Sequence, residues 1–279
     1  MNEKSIRMKQ AILQRKSVRT YMDKLLTQMD EEKVKHYLAQ QDNGKGPFGN
    51  RVKIVLQSAI SVEGQKIFGT YGVIRNAPAY LIAQCSPKRY ALIDCGYVFE
   101  RLVLFLESNR LGTCWLGGTF ERHKVKVELI DDDWIIPIVS PVGYTREKRT
   151  LQDMMMRQMA KSHMRKSIDE LFVCGPNKKI IQDESCREEC EYLRWAPSAS
   201  NQQPWRVWFC DDLVHFFVKR TKGYGKALPF DIQMVDMGII LAHYQAIHPG
   251  SVYEILEDIP LWEGCEYIAS SRVSKEVDA

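Results

Sequence analysis

Near the start of the chain, Arg15-Lys16-Ser17-Val18-Arg19 sets three cations and a hydroxyl within five residues. A phosphate group carrying nearly two negative charges is met by such a set. Arginine offers a planar fork of donors, lysine a point charge and serine a short directional donor. A solvated basic turn has the same composition, so the segment alone names no ligand. Far downstream, Ala196-Pro-Ser-Ala-Ser-Asn-Gln-Gln-Pro-Trp205 is a loop of small side chains closed by Pro-Trp. Small residues let backbone approach a flat ring system, and the amide of Asn201 can donate and accept at the edge of a pyrimidine-like ring. A turn followed by a buried Trp is the plainer account of the same residues.

Other segments carry weaker signals. Gly112-Thr-Cys-Trp-Leu-Gly117-Gly118 follows a long apolar segment. Gly112 alone would serve as a helix C-cap, so the Gly117-Gly118 pair needs a second reason. Gly69-Thr70-Tyr71-Gly72 suits a loop over a substrate, where Tyr71 would stack. Arg146-Glu147-Lys148-Arg149 is a charge run of the kind usually left in solvent. Cys186 and Cys190 have a spacing that zinc sites use, but no second Cys or His pair is near them in sequence, so no metal is expected. No Gly-x-Gly-x-x-Gly follows a strand pattern, and no Gly-x-x-x-x-Gly-Lys-Ser/Thr or Gly-x-Ser-x-Gly occurs, which removes the Rossmann dinucleotide, P-loop and nucleophile-elbow readings.

Together, Arg15–Arg19, Pro197–Trp205 and Leu111–Gly118 resemble motifs of the nitroreductase superfamily. In that family the first two lie close together in sequence, yet one flavin takes them from two subunits of a homodimer. Here they lie in different halves of one chain, so the resemblance is to fused, duplicated members. It implies an α+β sandwich of mainly antiparallel sheets flanked by helices, forming an internal pseudo-dimer that functions as a monomer. It implies one FMN per chain, with Arg15, Lys16, Ser17 and Arg19 at its phosphate and Lys148 and Arg149 beside them. Trp115, Leu116, Gly117 and Gly118 would lie against the isoalloxazine, with a backbone N–H directed at the reactive nitrogen. Pro197, Ser198, Ala199 and Asn201 would line the ring from the other half, and Thr70 and Tyr71 would face the substrate. NAD(P)H would donate hydride transiently, and a nitroaromatic, quinone or similar small acceptor would follow it onto the same face. No side chain is implied as an acid or base. The alternative is a flavin-binding protein without turnover, a sensor or carrier.

The elements that must position these residues follow from an internal repeat. Arg15-Lys16-Ser17-Val18 recurs as Arg165-Lys166-Ser167-Ile168, and Leu92-Ile-Asp94-Cys-Gly96 as Met234-Val-Asp236-Met-Gly238. Each half reads as helix, loop, strand, strand, long helix, strand, with residues 1–150 and 151–279 as the two units and a linker near 151–165. Helical spacing covers 5–16, 31–40, 94–109, 186–195 and 233–247. Strand patterns cover 52–56, 79–83, 207–210 and 213–219, with a short apolar run at 135–142. Each half has lost what the other keeps: Asp169 stands where the first copy has Arg19, and the first half has no small-residue loop. The expectation is one working site and a vestigial second, with Arg165 outside the working one.

Bulk composition is that of a soluble globular protein. The 279 residues are 45% hydrophobic and 27% charged with a net charge of +4, which supports neither a nucleic-acid nor a membrane partner. Eight scattered cysteines and no apolar leader read as reduced thiols in a cytoplasmic protein.

Overall fold

The computed structural model describes residues 3–60, 67–146 and 164–272. The first half runs α1 (Glu3–Gln14), α2 (Gln28–Ala39), β1 (Lys53–Ser58), β2 (Ala79–Gln84), α3 (Arg89–Ser108), β3 (Leu111–Thr113) and β4 (Val139–Tyr144). The second runs α4 (Ile168–Leu171), β5 (Phe172–Cys174), α5 (Glu184–Arg194), β6 (Trp205–Cys210), β7 (Leu213–Val218), α6 (Ile232–Ile247), β8 (Tyr253–Glu254) and β9 (Glu266–Arg272). The expected α+β class is observed. Of the expected linker near 151–165, all but Met164 and Arg165 lies outside the described residues.

Each half builds one sheet. The first has strand order β1-β2-β4-β3, and the second β5-β6-β7-β9-β8. Apart from β5, which pairs parallel to β6, every neighbouring pair is antiparallel. Without β5, the second order repeats the first, strand for strand. Between the sheets, α3 and α6 are buried on nearly every side, as helices apolar all round must be. They cross at Gly96 and Gly238. A Cβ built on Gly238 would run into the Ile93 carbonyl oxygen and the Gly96 backbone, and one on Gly96 into the Val235 carbonyl. Only the missing side chains allow this approach. The main core is continuous across both halves, from Leu81 and Phe99 to Trp205 and Phe216.

Local chemistry sets the element ends. Thr27 caps α2 by accepting from the Asp30 N–H, and Asp183 caps α5 by accepting from Cys186, each filling an orphan donor of a first helical turn. The two copies of the repeated basic motif adopt different structures. Ser17 sits in a parallel bridge with Thr113 beside β3, whereas Ser167 caps α4 by accepting from Glu170 N–H. Asp169 and Glu170 in that first turn suit the positive end of the helix, a place where a second Arg19 would be unfavourable.

Three differences from the sequence reading have a local cause. Helix α3 starts at Arg89 rather than near Asp94, because Arg89 is held by Glu266 and by the Tyr267 carbonyl at 3.0 Å. The apolar run at 135–142 becomes strand only from Val139, beyond Pro137, which has no N–H for the ladder. Leu111–Thr113, expected as loop, pairs with β4.

Candidate cofactor site

A cavity of about 670 Å³ opens between the two halves, within the range of small-molecule and cofactor pockets. Its first wall begins where α1 ends. Arg15 N–H closes the last turn on Ala11 at 2.8 Å, and Val18 N–H donates to the Thr113 carbonyl at 2.8 Å. Val18 is thereby buried against the sheet, while Arg15, Lys16, Ser17 and Arg19 line the cavity. Arg15 is 8% exposed, and its Nε and Nη1 have no hydrogen-bond partner among the described residues. Its nearest carboxylate oxygen is Glu100 Oε1, 4.0 Å from Nε. A buried guanidinium with unfilled donors is costly unless a ligand completes it.

The glycine-rich segment supplies the adjoining wall. Cys114 N–H donates to Ser140 Oγ at 3.0 Å, and Trp115 Nε1 donates to Glu100 Oε2 at 2.9 Å. Leu116 exchanges both backbone hydrogen bonds with Val139 at 3.0 Å. Trp115, Gly117 and Gly118 reach the cavity. Leu116 does not: its side chain is buried in the core beside Val139 and Phe120, because the two-way bridge turns that side chain inward. Arg122 fixes the loop from outside, donating to the Gly117 carbonyl at 2.6 Å and to the Ile136 carbonyl at 2.8 Å. Burial pushes its guanidinium below the ordinary arginine range.

The opposite wall comes from the second half. Pro197, Ser198, Ala199 and Asn201 all line the cavity. Ser200, Asn201 and Gln203 have φ of 46°, 55° and 48°, left-handed values that non-glycine residues adopt at a cost. Several bonds hold this conformation. Ala199 N–H donates to Asp236 Oδ1 at 2.9 Å, Gln203 N–H to Ser198 Oγ at 2.8 Å, and Tyr224 OH to Ser200 Oγ at 3.0 Å. Burial raises the Asp236 carboxyl well above the carboxylate range, the Ala199 bond opposing it.

The structure revises two roles on this wall. The Asn201 amide, expected at the edge of a bound ring, is engaged within the chain: Nδ2 donates to the Met164 carbonyl at 2.8 Å, and Oδ1 accepts from Arg165 Nη1 at 3.1 Å. Arg165, expected outside the working site, lines the same cavity, its guanidinium 4.8 Å from the Trp195 ring centroid. Proximity of 165 to 201 arises from the strained loop, which sequence does not display.

Of the substrate-facing pair, Tyr71 lines the cavity and is 69% exposed. Thr70 does not line it; it is buried and accepts from the Ile74 N–H at 3.3 Å. Lys148 and Arg149 lie outside the described residues. Sequence reasoning missed Arg122, Trp195, Tyr224 and Asp236. Asp236 carried a signal, as the repeat partner of Asp94, and Arg165 as that of Arg15; Arg122 carried none. Among the described residues, no three metal-ligating side chains cluster, and no disulfide joins any of the cysteines.

A sequence model of the family described as "Putative TM nitroreductase" matches residues 7–247. The chain belongs to this nitroreductase family. Among solved structures, one described as a putative nitroreductase from Thermotoga maritima is 18% identical, with a TM-score of 0.58, covering 95% of this chain and 93% of that one. That likeness shows the nitroreductase-like fold. Nitroreductase A from Vibrio parahaemolyticus is 20% identical over 54% of this chain and 71% of its own, with a TM-score of 0.40. An FMN-dependent nitroreductase from Clostridium difficile is 14% identical over 51% of this chain and 92% of its own, with a TM-score of 0.35. Among curated proteins, none matches the sequence. Membership in the nitroreductase family makes the chain an oxidoreductase by kind, and no helix among the described residues is long and apolar enough to cross a membrane.

Proposed function

We propose that the cavity holds one FMN per chain and that the protein uses NAD(P)H to reduce a small acceptor such as a nitroaromatic or quinone. The observation that carries this reading is Arg15, buried on the cavity wall with two unfilled donors, beside Lys16, Ser17 and Arg19 and across from a small-residue loop. That donor set suits a phosphate dianion, and the opposite wall of Pro197, Ser198 and Ala199 suits a flat ring. FMN, when bound, supplies the hydride chemistry. The chain binds the phosphate through the basic segment, orients the ring between Trp115–Gly118 and the small-residue loop, and leaves room on the Tyr71 side for donor and acceptor in turn. The Gly117 carbonyl is tied to Arg122, which holds the loop N–H groups in place as preorganised donors.

The shared strand order, the Gly96–Gly238 crossing and the aspartates two residues before each glycine support a duplicated, fused dimer, with halves near 1–150 and 151–279. Both walls of the cavity come from one chain, so the working unit is a monomer, in a cytoplasmic setting. Titration of apoprotein with FMN should saturate near one equivalent per chain; two equivalents, or none, refute the reading. The loaded protein should then oxidise NADH or NADPH in the presence of acceptor. Bound flavin without turnover would favour a sensor or carrier. Mixing an Arg15/Arg19→Ala chain with an Asn201→Ala chain should not restore tight FMN binding, because neither can complete the other's site.

A further inference from the structure

Under the cavity floor, Glu100 on α3 is fully buried and touches residues from both halves. Its Oε2 accepts from Trp115 Nε1 at 2.9 Å, and its Oε1 lies 3.0 Å from His243 Nε2 on α6. The far ring nitrogen, His243 Nδ1, lies 3.1 Å from the Tyr192 carbonyl oxygen. A carbonyl only accepts, so Nδ1 carries a hydrogen. Nε2 and Oε1 at 3.0 Å would present lone pair to lone pair unless one proton lies between them. With that proton, the pair has no net charge, whichever atom holds it. Arg15 stands at the edge of this pair, its Nε 4.0 Å from Oε1.

We propose that Glu100 and His243 form a buried, net-neutral pair that positions Trp115 and Arg15 and leaves the charge of Arg15 to the ligand phosphate. This rests on the FMN reading above. An ordinary counter-ion at Glu100 would neutralise Arg15 and weaken its hold on a dianion. A pair whose charge is already matched by its own proton does not, and it avoids an unpaired buried charge. Glu107 also faces the basic segment, where burial raises its carboxyl and the Arg15 and Lys16 charges pull it down. The device exists on one side of the molecule. Glu100 stands four residues after Gly96, and the residue four after Gly238 is Ala242. Because His243 and Tyr192 belong to the second half, the phosphate end of the site is set only when the halves are docked.

The test uses the full chain, stripped of flavin, with FMN and riboflavin titrated in parallel. In Glu100→Gln the amide oxygen accepts from Trp115 and the amide N–H donates to His243 Nε2, so the pair stays neutral and bonded. The FMN-to-riboflavin affinity ratio should stay within about threefold of wild type, whereas a change of about tenfold in either direction, the size expected for a lost or gained charge contact, overturns the neutral pair. Glu100→Leu removes both bonds, and should weaken FMN by at least about tenfold and shift the visible spectrum of bound flavin. Equal behaviour of the Leu and Gln variants overturns the positioning role. Should the Leu variant fail to fold, nitrogen-15 NMR of His243 in the wild-type chain decides: a protonated Nδ1 supports the pair, and an unprotonated Nδ1 overturns it with or without ligand. A wild-type chain that binds neither flavin refutes the reading of the cavity instead.

Discussion

Two aspartates at matching places in the two halves face opposite fates. Asp94 accepts three hydrogen bonds: Phe48 N–H at 2.9 Å, Asn50 N–H at 2.8 Å and Asn50 Nδ2 at 2.9 Å. Its loop is closed on itself, with Gly46 pressed so tightly against Asp94 that a Cβ would collide, and Phe48 packed 4.8 Å from the Tyr90 ring. Asp236 accepts from Ala199 alone, and its Oδ2 has no partner among the described residues. There the loop stands off and walls a cavity. One scaffold thus gives a filled side, where the loop satisfies the carboxylate, and an open side, where the loop is strained. The open side is the one facing the basic segment.

The largest expected effect breaks the filled side. Asp94→Ala strands three donors and should cost about 3 kcal/mol of stability, against about 1 kcal/mol for Asp236→Ala, read from urea unfolding midpoints. Equal losses would erase the contrast. Next, Arg15→Ala should weaken FMN by about 1.5–3 kcal/mol while leaving riboflavin nearly unchanged, since riboflavin lacks the phosphate. Arg165→Ala should weaken both flavins alike, because Arg165 props the loop through Asn201 and Trp195. A phosphate-selective loss at Arg165 would make it a second phosphate ligand.

A smaller effect concerns pH. Burial raises both carboxyls above the ordinary value of 3.8, and raises Asp236 further, since three hydrogen bonds hold Asp94 back. Between 3.8 and its own folded pKa, native Asp236 keeps a proton that the unfolded chain has released. Stability therefore falls as pH rises through that window. Asp236→Asn should flatten that fall in thermal melts across the window; an unchanged slope would show that Asp236 is ionised in the fold. Smallest of all, Tyr71→Ala should leave FMN affinity alone and raise KM for an aromatic acceptor by about threefold, the worth of one exposed stacking contact. A loss of flavin affinity instead would move Tyr71 from the acceptor side to the cofactor side.

Much of the fold was legible because its signals are local. The apolar helix 233–247 and the strands near 52–56, 79–83, 207–210 and 213–219 appear within a few residues of their expected ends, and helix 94–109 departs only at its start. Strand β9 had no expected range because Ser270 and Ser271 interrupt its pattern. Both are fully buried, and Ser270 Oγ lies 2.7 Å from His215 Nδ1 and 2.8 Å from Tyr267 OH. A polar strand residue satisfied by distant partners looks like a loop residue in sequence.

The sequence by itself determined the donor chemistry of the first wall, the small residues of the second and the glycines that let two helices cross. Those depend on residue type and short spacing, which are written in order along the chain. Tertiary structure alone decided which polar atoms remain available. It committed the Asn201 amide to Met164 and Arg165, turned Leu116 into the core, brought Arg165 into the cavity and placed Glu100 against His243, 143 residues away. A hydrogen bond takes its partner from whatever the fold brings within about 3 Å, and that neighbour is set by packing between the halves.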